Sequence, residues 1–253
     1  MEFYARLLQR HLDDGVIAHD DSVFVQFAGT FDEQICAQVG LTNCTFGNIA
    51  PGSHSTGATS AAHFDAHRMP LPDGSFDHVF AHAGLHHCSR PHEALHEMYR
   101  LARKTVVFVE NQDSLLMRLA ARAGVVPSYE PDAVRDGGYT SGGVDGTGVP
   151  NHVYRWTRRE VDKAVTSFDP GHRVPVTYDV EWNIGGERAA AQALSRKLHL
   201  GEATAARVFR VGQATLNTVL RRQGNIFAAT IRKDLAELQP WMRTPTAMRD
   251  APT

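Results

Sequence analysis

The 253-residue sequence predicts an α/β protein, a doubly wound and mostly parallel sheet with a loop and a helical cap added in its second half. Three observations predict it. Short apolar runs rich in β-branched and aromatic residues alternate with amphipathic stretches through the first half, the rhythm of a parallel sheet covered on both faces. Cap and stop residues flank the amphipathic stretches. The second half then breaks this rhythm with a Gly- and Pro-rich stretch and a long helical segment.

The stretch MEFYARLLQRHLDDG has apolar residues at helical spacing. Ser22 to Gly29, SVFVQFAG, is short, β-branched and aromatic and reads as a buried strand. In the following TFDEQICAQVG, Thr30 and Glu33 have capping-box spacing and Gly40 supplies the stop. NCTFGNI is a second strand, followed by the loop APGSHSTGATSA. After HFDAHRMPLPDGS, FDHVFAHAG is a strand and RPHEALHEMYRLAR a helix with Leu95, Met98, Tyr99 and Ala102 on one face. KTVVFVE is the next strand, and DSLLMRLAARAG a helix capped by Asp113 or Ser114 and stopped at Gly124.

The stretch VVPSYEPDAVRDGGYTSGGVDGTGVPN has little periodicity, and a loop of that length in a compact domain is usually functional or mobile. A second capping box, Thr157 to Glu160, opens TRREVDKAVTSF. HRVPVTYDVEWNI reads as a strand, Arg188 to Arg222 as mostly helical, and GNIFAATIRK as the last strand before a polar tail. The sequence contains no internal repeat and no low-complexity segment.

Composition excludes several classes of function. With 42% hydrophobic and 21% charged residues the chain is an ordinary globular one, and a net charge of −2 without a long basic run argues against nucleic acid as a partner. Cys36, Cys44 and Cys88 are an odd number without paired spacing, which fits a reducing compartment. The N-terminus lacks the basic start and apolar run of a signal peptide, and no apolar segment approaches the ~20 residues of a membrane helix. The expectation is a cytoplasmic protein acting on small molecules.

His92-Glu93-Ala94-Leu95-His96 has the H-E-x-x-H pattern of zinc peptidases. Its context opposes that reading. The His-rich extension carrying a third ligand is absent, since EMYRLA follows, and Glu110 ends a strand instead of sitting on a later helix. His92 and His96 are therefore assigned to the outer or flank side of a structural helix. A cluster of His86, His87 and Cys88 with His92 is set aside because adjacent side chains at a strand end rarely converge on one ion, so no metal is expected.

The turn after the first strand discriminates among nucleotide ligands. The helix there begins Thr30-Phe31-Asp32-Glu33, and two carboxylates in the first turn complement the helix dipole and repel a phosphate. Nicotinamide and flavin cofactors are disfavoured, and no P-loop pattern is present. A ligand carrying positive charge suits the site better.

At this point the order of segments resembles the class I S-adenosylmethionine-dependent methyltransferases of small-molecule type. The resemblance lies in VFVQFAGTFDE, FDAHRMPLPDGSFDHVFAHAGLHH and RPHEALHEMYRLARKTVVFVE and, more locally, in NHVYRWTRREV and QGNIFAATIRK. It implies a seven-stranded sheet with the last strand antiparallel and a cofactor across the ends of the first four strands. By position, Phe27, Ala28, Gly29 and Thr30 match the glycine-rich turn under the methionine part of the cofactor. Asn48 matches the end of the second strand, Asp65 and Ala66 the adenine contacts, and His82, Ala83 and Gly84 the end of the fourth strand beside the sulfonium. Two positions depart from the family: the turn keeps only Gly29 of its usual glycines, and Asn48-Ile49-Ala50-Pro51 offers no acid for the ribose hydroxyls.

The implied function is S-adenosylmethionine-dependent methyl transfer to a small-molecule or sugar acceptor, with O-methylation preferred. Methyl transfer is an in-line displacement that depends on positioning, and a hydroxyl acceptor also needs a base. His87, and after it His86, stands at the strand rim where that base belongs; the other reading has one of them capping the next helix. Tyr139 and Tyr154 are candidate substrate contacts, with a surface place and core packing as their alternatives. Glu110 and Asp113 are candidates to orient the acceptor, and Tyr4 to cover the cofactor. Residues 1–253 form one domain, with 127–150 as a lid and 188–222 as a helical cap or a homodimer surface. The competing function is a repurposed fold that binds a small molecule without transferring a methyl group.

Overall fold

The computed structural model describes residues 3–49, 62–185, 187–233 and 239–243. In chain order the major elements are helix α1 (Phe3–Asp13), strand β1 (Val23–Gln26), α2 (Thr30–Gln38), β2 (Cys44–Asn48), β3 (Ala62–His63) and β4 (Phe76–His82). They continue with α3 (Pro91–Leu101), β5 (Ala102–Asn111), α4 (Leu115–Arg122), α5 (Pro131–Asp136) and α6 (Arg158–Phe168). Last come β6 (Thr177–Glu181), α7 (Glu187–Leu198), α8 (Glu202–Val219) and β7 (Ile226–Arg232).

The seven strands form one sheet in the order β3-β2-β1-β4-β5-β7-β6. Strands β1 to β5 pair in parallel, and β7 runs antiparallel to both β5 and β6. The expected alternation and the antiparallel last strand are thus present. The two-residue β3 emerges from a stretch expected to be loop. Ala50, Pro51 and the rest of the Gly/Ser/Thr-rich segment as far as Ala61 lie outside the described residues.

Strand alternation divides the core in two. Successive side chains of a strand point to opposite faces, so Phe24, Val79, Ala81, Val106 and Phe108 face one way, toward Leu95, Met98 and Tyr99 of α3. Val23, Val25, Phe80, Val107 and Val109 face the other, toward Leu7 and Leu8 of α1 and Ile35 of α2. The continuous apolar runs in β1, β4 and β5 follow from burial on both faces. Among the described residues no helix is long and apolar enough to cross a membrane.

The helix ends show where local signals held. Thr157 Oγ1 accepts the Glu160 N–H at 3.0 Å and Glu160 Oε2 accepts the Thr157 N–H at 3.3 Å, the expected capping box. Ser114, not Asp113, caps α4 by accepting from Met117 N at 3.2 Å. At α2 the expectation of Thr30 with Glu33 was one residue late: Gly29 is the N-cap, and Asp32 Oδ2 accepts its N–H at 2.9 Å. Ala102 also leaves the α3 face, because it opens β5. The 127–150 stretch is less irregular than expected, containing α5 and a short 3-10 turn at Val144–Gly146.

Candidate functional site

In an open parallel sheet, ligands bind beyond the carboxyl ends of the strands where the strand order reverses. Here that point lies between β1 and β4, which lead outward to β2 and β5 respectively. A cavity of about 260 Å³ opens there. Its walls include Gln26 and Phe27 at the end of β1, Asn48 at the end of β2, Asp65 and Ala66 after β3, and Ala83, Gly84 and His87 after β4. Gly142, Gly143, Asp145 and Gly146 close it from the 127–150 segment.

Hydrogen bonds fix these walls. Asp65 Oδ1 accepts from the backbone N of His67 at 2.9 Å and lies 2.7 Å from its Nδ1. His67 Nε2 in turn accepts from Arg90 N at 3.3 Å, at the start of α3. Asp145 Oδ1 accepts from Ser89 N at 2.9 Å, which ties the 127–150 segment to the cavity rim. The Asn48 side-chain amide donates to the Ala28 carbonyl at 3.0 Å, so part of the group expected at the ribose bridges two strand ends.

The turn after β1 differs from a glycine-rich one in a specific way. Phe27 adopts φ 62°, in the left-handed region that a bulky residue rarely occupies. Its ring packs on Gly84, where an added Cβ would lie 2.3 Å from it. Next to the turn, the His82 ring stacks on Tyr4 with centroids 5.0 Å apart and packs against Phe31 at 4.9 Å. Ala28, Gly29, Thr30 and His82 are therefore beside the cavity without lining it. Burial raises the Asp32 carboxyl to about 6, and its Oδ1 has no hydrogen-bond partner.

His86 and His87 occupy a 3-10 turn, Leu85–His87, immediately after β4. His86 Nδ1 lies 2.8 Å from Glu110 Oε2, and Glu110 Oε1 accepts the Leu85 N–H at 2.7 Å. His86 Nε2 lies 3.3 Å from Glu130 Oε2, and His87 Nε2 lies 3.6 Å from the same oxygen. Burial works to lower the His86 imidazole, but the Glu110 and Glu130 carboxylates prevail and raise it to about 10. His87 is shifted downward by burial and by the adjacent His86 charge. The hydrogen bond from His86 holds Glu130 down at about 2. The 3-10 turn puts the His86 and His87 rings on one side, with centroids 4.5 Å apart and Glu130 beside both, while Cys88 and His92 stay outside this group.

Other candidates go elsewhere. His92 Nε2 meets Glu160 Oε1 at 3.1 Å, and His96 meets the Ala164 carbonyl at 3.3 Å while stacking on Phe168 at 4.1 Å. Both join α3 to α6, so the H-E-x-x-H pattern is a packing feature. Tyr154 donates its hydroxyl to Glu160 and packs on Trp156, away from the cavity, and Tyr139 is exposed. Glu110 is fully buried against His86 and Leu85, and Asp113 lies 3.9 Å from Arg118, so neither reaches the cavity wall. Sequence reasoning missed Glu130, Gln26 and His67. No local signal marked Glu130, since the chain reaches it through a stretch without periodicity.

Residues 35–109 match the sequence pattern of a methyltransferase domain family. A SAM-dependent methyltransferase from Archaeoglobus fulgidus superposes with TM-score 0.52 at 15% identity, covering 90% of this chain and 94% of that one. The chain has the fold of the class I S-adenosylmethionine-dependent methyltransferases. The YcgJ protein of Bacillus subtilis gives TM-score 0.52 at 12% identity over 90% of this chain and 98% of that one. Phospholethanolamine N-methyltransferase 2 of Haemonchus contortus, solved with phosphomonomethylethanolamine and S-adenosylhomocysteine, gives 0.53 at 10% identity over 92% of this chain and 54% of that one. No curated protein matches. At these identities the solved structures attest the methyltransferase fold alone.

The cavity residues fit an adenosine-bearing cofactor. Gln26 Oε1 is buried without a hydrogen-bond partner, an acceptor facing a cavity that a ligand with N–H or O–H donors would satisfy. The volume lies just below the ~300–1,000 Å³ usual for ligand pockets. The Phe27 ring takes up space that a glycine at that position would leave open.

Proposed function

We propose that this chain is an S-adenosylmethionine-dependent methyltransferase acting on a small molecule, with a hydroxyl oxygen as the atom methylated. The observation that carries the proposal is the cavity at the β1/β4 switch point, with Asn48, Asp65 and Ala66 at its walls together with Gly84 and His87. Asp65, Ala66 and Gln26 hold the adenosine part; Phe27, Ala83 and Gly84 border the reacting end. Bound S-adenosylmethionine supplies an electrophilic methyl group on a sulfonium. The chain's own residues position the acceptor and manage its proton.

Among the two histidines, His87 is assigned the proton. Both ring nitrogens of His86 face carboxylates, so neither is free to accept from a substrate. His87 borders the cavity directly. A base held at hydrogen-bond reach of the acceptor typically contributes ~10²–10⁴-fold to the rate. The loop 127–150 borders the site through Asp145, and α7 with α8, which follow β6 in the chain, is assigned the role of a cap.

A repurposed fold is the second reading, favoured by Phe27 on Gly84 and by the Asn48 amide already engaged with Ala28. Calorimetric titration with S-adenosylmethionine, and separately with S-adenosylhomocysteine, separates the two. Saturable binding tighter than about 1 mM, lost in Asp65→Ala without unfolding, is the expected result. Absence of heat and of thermal shift with both ligands would move the repurposed fold to first place.

A further inference from the structure

The His86 cluster has a second use. We propose that His86, His87 and Glu130 form a binding site for one divalent first-row transition-metal ion, of the zinc or manganese class, at the rim of the cavity. One ligand atom from each of the three residues lies within 4.8 Å of the others. His86 Nε2 and His87 Nε2 stand 3.3 Å and 3.6 Å from Glu130 Oε2. Ligand atoms about 2.1 Å from a common ion are themselves roughly 3–3.5 Å apart, so the spacing already approximates a coordination set.

The supporting groups are of the kind that metal-bound histidines use. A ligating imidazole generally donates its second N–H to a carboxylate or a backbone carbonyl, which fixes the tautomer and ring orientation. Glu110 meets His86 Nδ1 at 2.8 Å, and the carboxylate is fully buried. His87 is hydrogen-bonded to the backbone of Gly143. Asn151 Nδ2 donates to Glu130 Oε2 at 3.1 Å, orienting the third ligand. The His86 ring, 4% exposed, is held in place before any ion arrives, and an ion that binds displaces the proton between His86 Nε2 and Glu130 to solvent.

Ligand type narrows the ion. Two imidazoles and one carboxylate suit zinc, manganese, iron or cobalt better than the all-oxygen preference of magnesium or calcium. Three protein ligands leave coordination positions open, and His87 places them beside the cavity. There the ion would lower the pKa of an acceptor hydroxyl, whose proton leaves to solvent, a task otherwise given to His87. That use rests on the methyltransferase reading; the metal site does not.

The test uses the full chain, stripped with a chelator and dialysed against ZnCl₂ or MnCl₂, with metal content read by mass spectrometry and affinity by calorimetry. About one ion per chain at a Kd of roughly 10 μM or tighter is expected. Glu130→Gln and His87→Asn should each weaken binding at least tenfold, and Glu110→Gln by about 10–100-fold. His92→Gln should leave it unchanged, and circular dichroism checks that each variant folds. Substoichiometric metal, or affinity insensitive to Glu130→Gln and His87→Asn, overturns the site. S-adenosylhomocysteine titrated into the same samples keeps the two readings apart: metal binding without cofactor binding retains the site and removes the methyltransferase reading, while the reverse removes only the site.

Discussion

Phe27 lies so close to Gly84 that a Cβ on Gly84 would fall 2.3 Å from the Phe27 ring and 2.4 Å from its Cβ. The atoms in the way belong to the root of the side chain, which cannot swing aside. Gly84→Ala should therefore cost about 1–3 kcal/mol through overpacking. It should also weaken S-adenosylhomocysteine binding, because relief requires Phe27 to move within the cavity wall. Thermal melts and calorimetry on the same variant check both effects; an unchanged melting temperature would show that the turn yields more easily than its contacts imply.

The Thr157–Glu160 capping box closes the N-terminus of α6, and Glu160 also receives the Tyr154 hydroxyl and meets His92. Thr157→Ala removes one acceptor for an otherwise unpaired helix N–H, at a cost of about 0.5–2 kcal/mol. Glu160→Gln should cost more, since three partners depend on that carboxylate. Denaturant titration of the two variants gives the order.

These residues also show what the sequence made legible. The Thr157 box and the Leu95, Met98 and Tyr99 face of α3 depend on spacing within one element, so they could be read locally. The order of strands and helices was readable for the same reason. Asp65 and Gly84 were matched through the family resemblance and His87 through its place after β4, and all three line the cavity. Glu130 reaches His86 across 44 positions of chain, and Tyr154 turns toward Glu160 instead of the cavity; both depend on tertiary packing that no local pattern encodes. Phe27 was matched to a glycine position, but its ring against Gly84 became visible only in three dimensions.

Asp77 accepts hydrogen bonds from Ser22 N at 3.0 Å and Ser22 Oγ at 2.7 Å and pairs with Arg103 and Lys104. Burial opposes its charged form, but these partners prevail and hold the carboxyl well below the usual range. A depressed folded-state pKa adds stability that is complete above the unfolded value near ~3.9 and is lost as pH falls below it. Asp77→Asn should thus lower stability at pH 7 by about 1–3 kcal/mol and by much less near pH 2. Urea titrations at the two pH values test this, and an equal loss at both would assign the effect to packing.

Asp32 has the opposite sign. Burial raises its carboxyl to about 6 even though it accepts the Gly29 N–H at 2.9 Å. A raised folded-state value means that the native protein binds a proton which the unfolded chain releases, so stability falls as pH rises from about 4 through 6. Asp32→Asn retains an acceptor for Gly29 and removes that penalty. The variant should gain on the order of 2 kcal/mol relative to the parent between pH 4 and pH 7.5. A parallel pH profile for the two proteins would mean that the buried carboxylate is better solvated than its surroundings suggest.

Arg100 is 3% exposed, and its guanidinium joins Glu97, Asp73 and the carbonyls of Met69 and Leu71 at 2.8–3.0 Å. Glu97 Oε2 also accepts the Met69 N–H at 2.9 Å. One side chain of α3 thus anchors the segment that follows Asp65, Ala66 and His67 in the cavity wall. Arg100→Met takes the buried cation away from the Glu97 and Asp73 carboxylates and from the Met69 and Leu71 carbonyls, and should cost about 3–5 kcal/mol. Arg100→Lys keeps the charge but cannot reproduce the planar fork, so it should fold with an intermediate loss. Because the anchor lies on the strand-to-α3 side and Asp65 on the ligand side, Arg100→Lys should also reduce S-adenosylhomocysteine affinity without touching the ligand. Stability loss with unchanged affinity would show that the bonds of Asp65 to His67 are enough to hold the wall on their own.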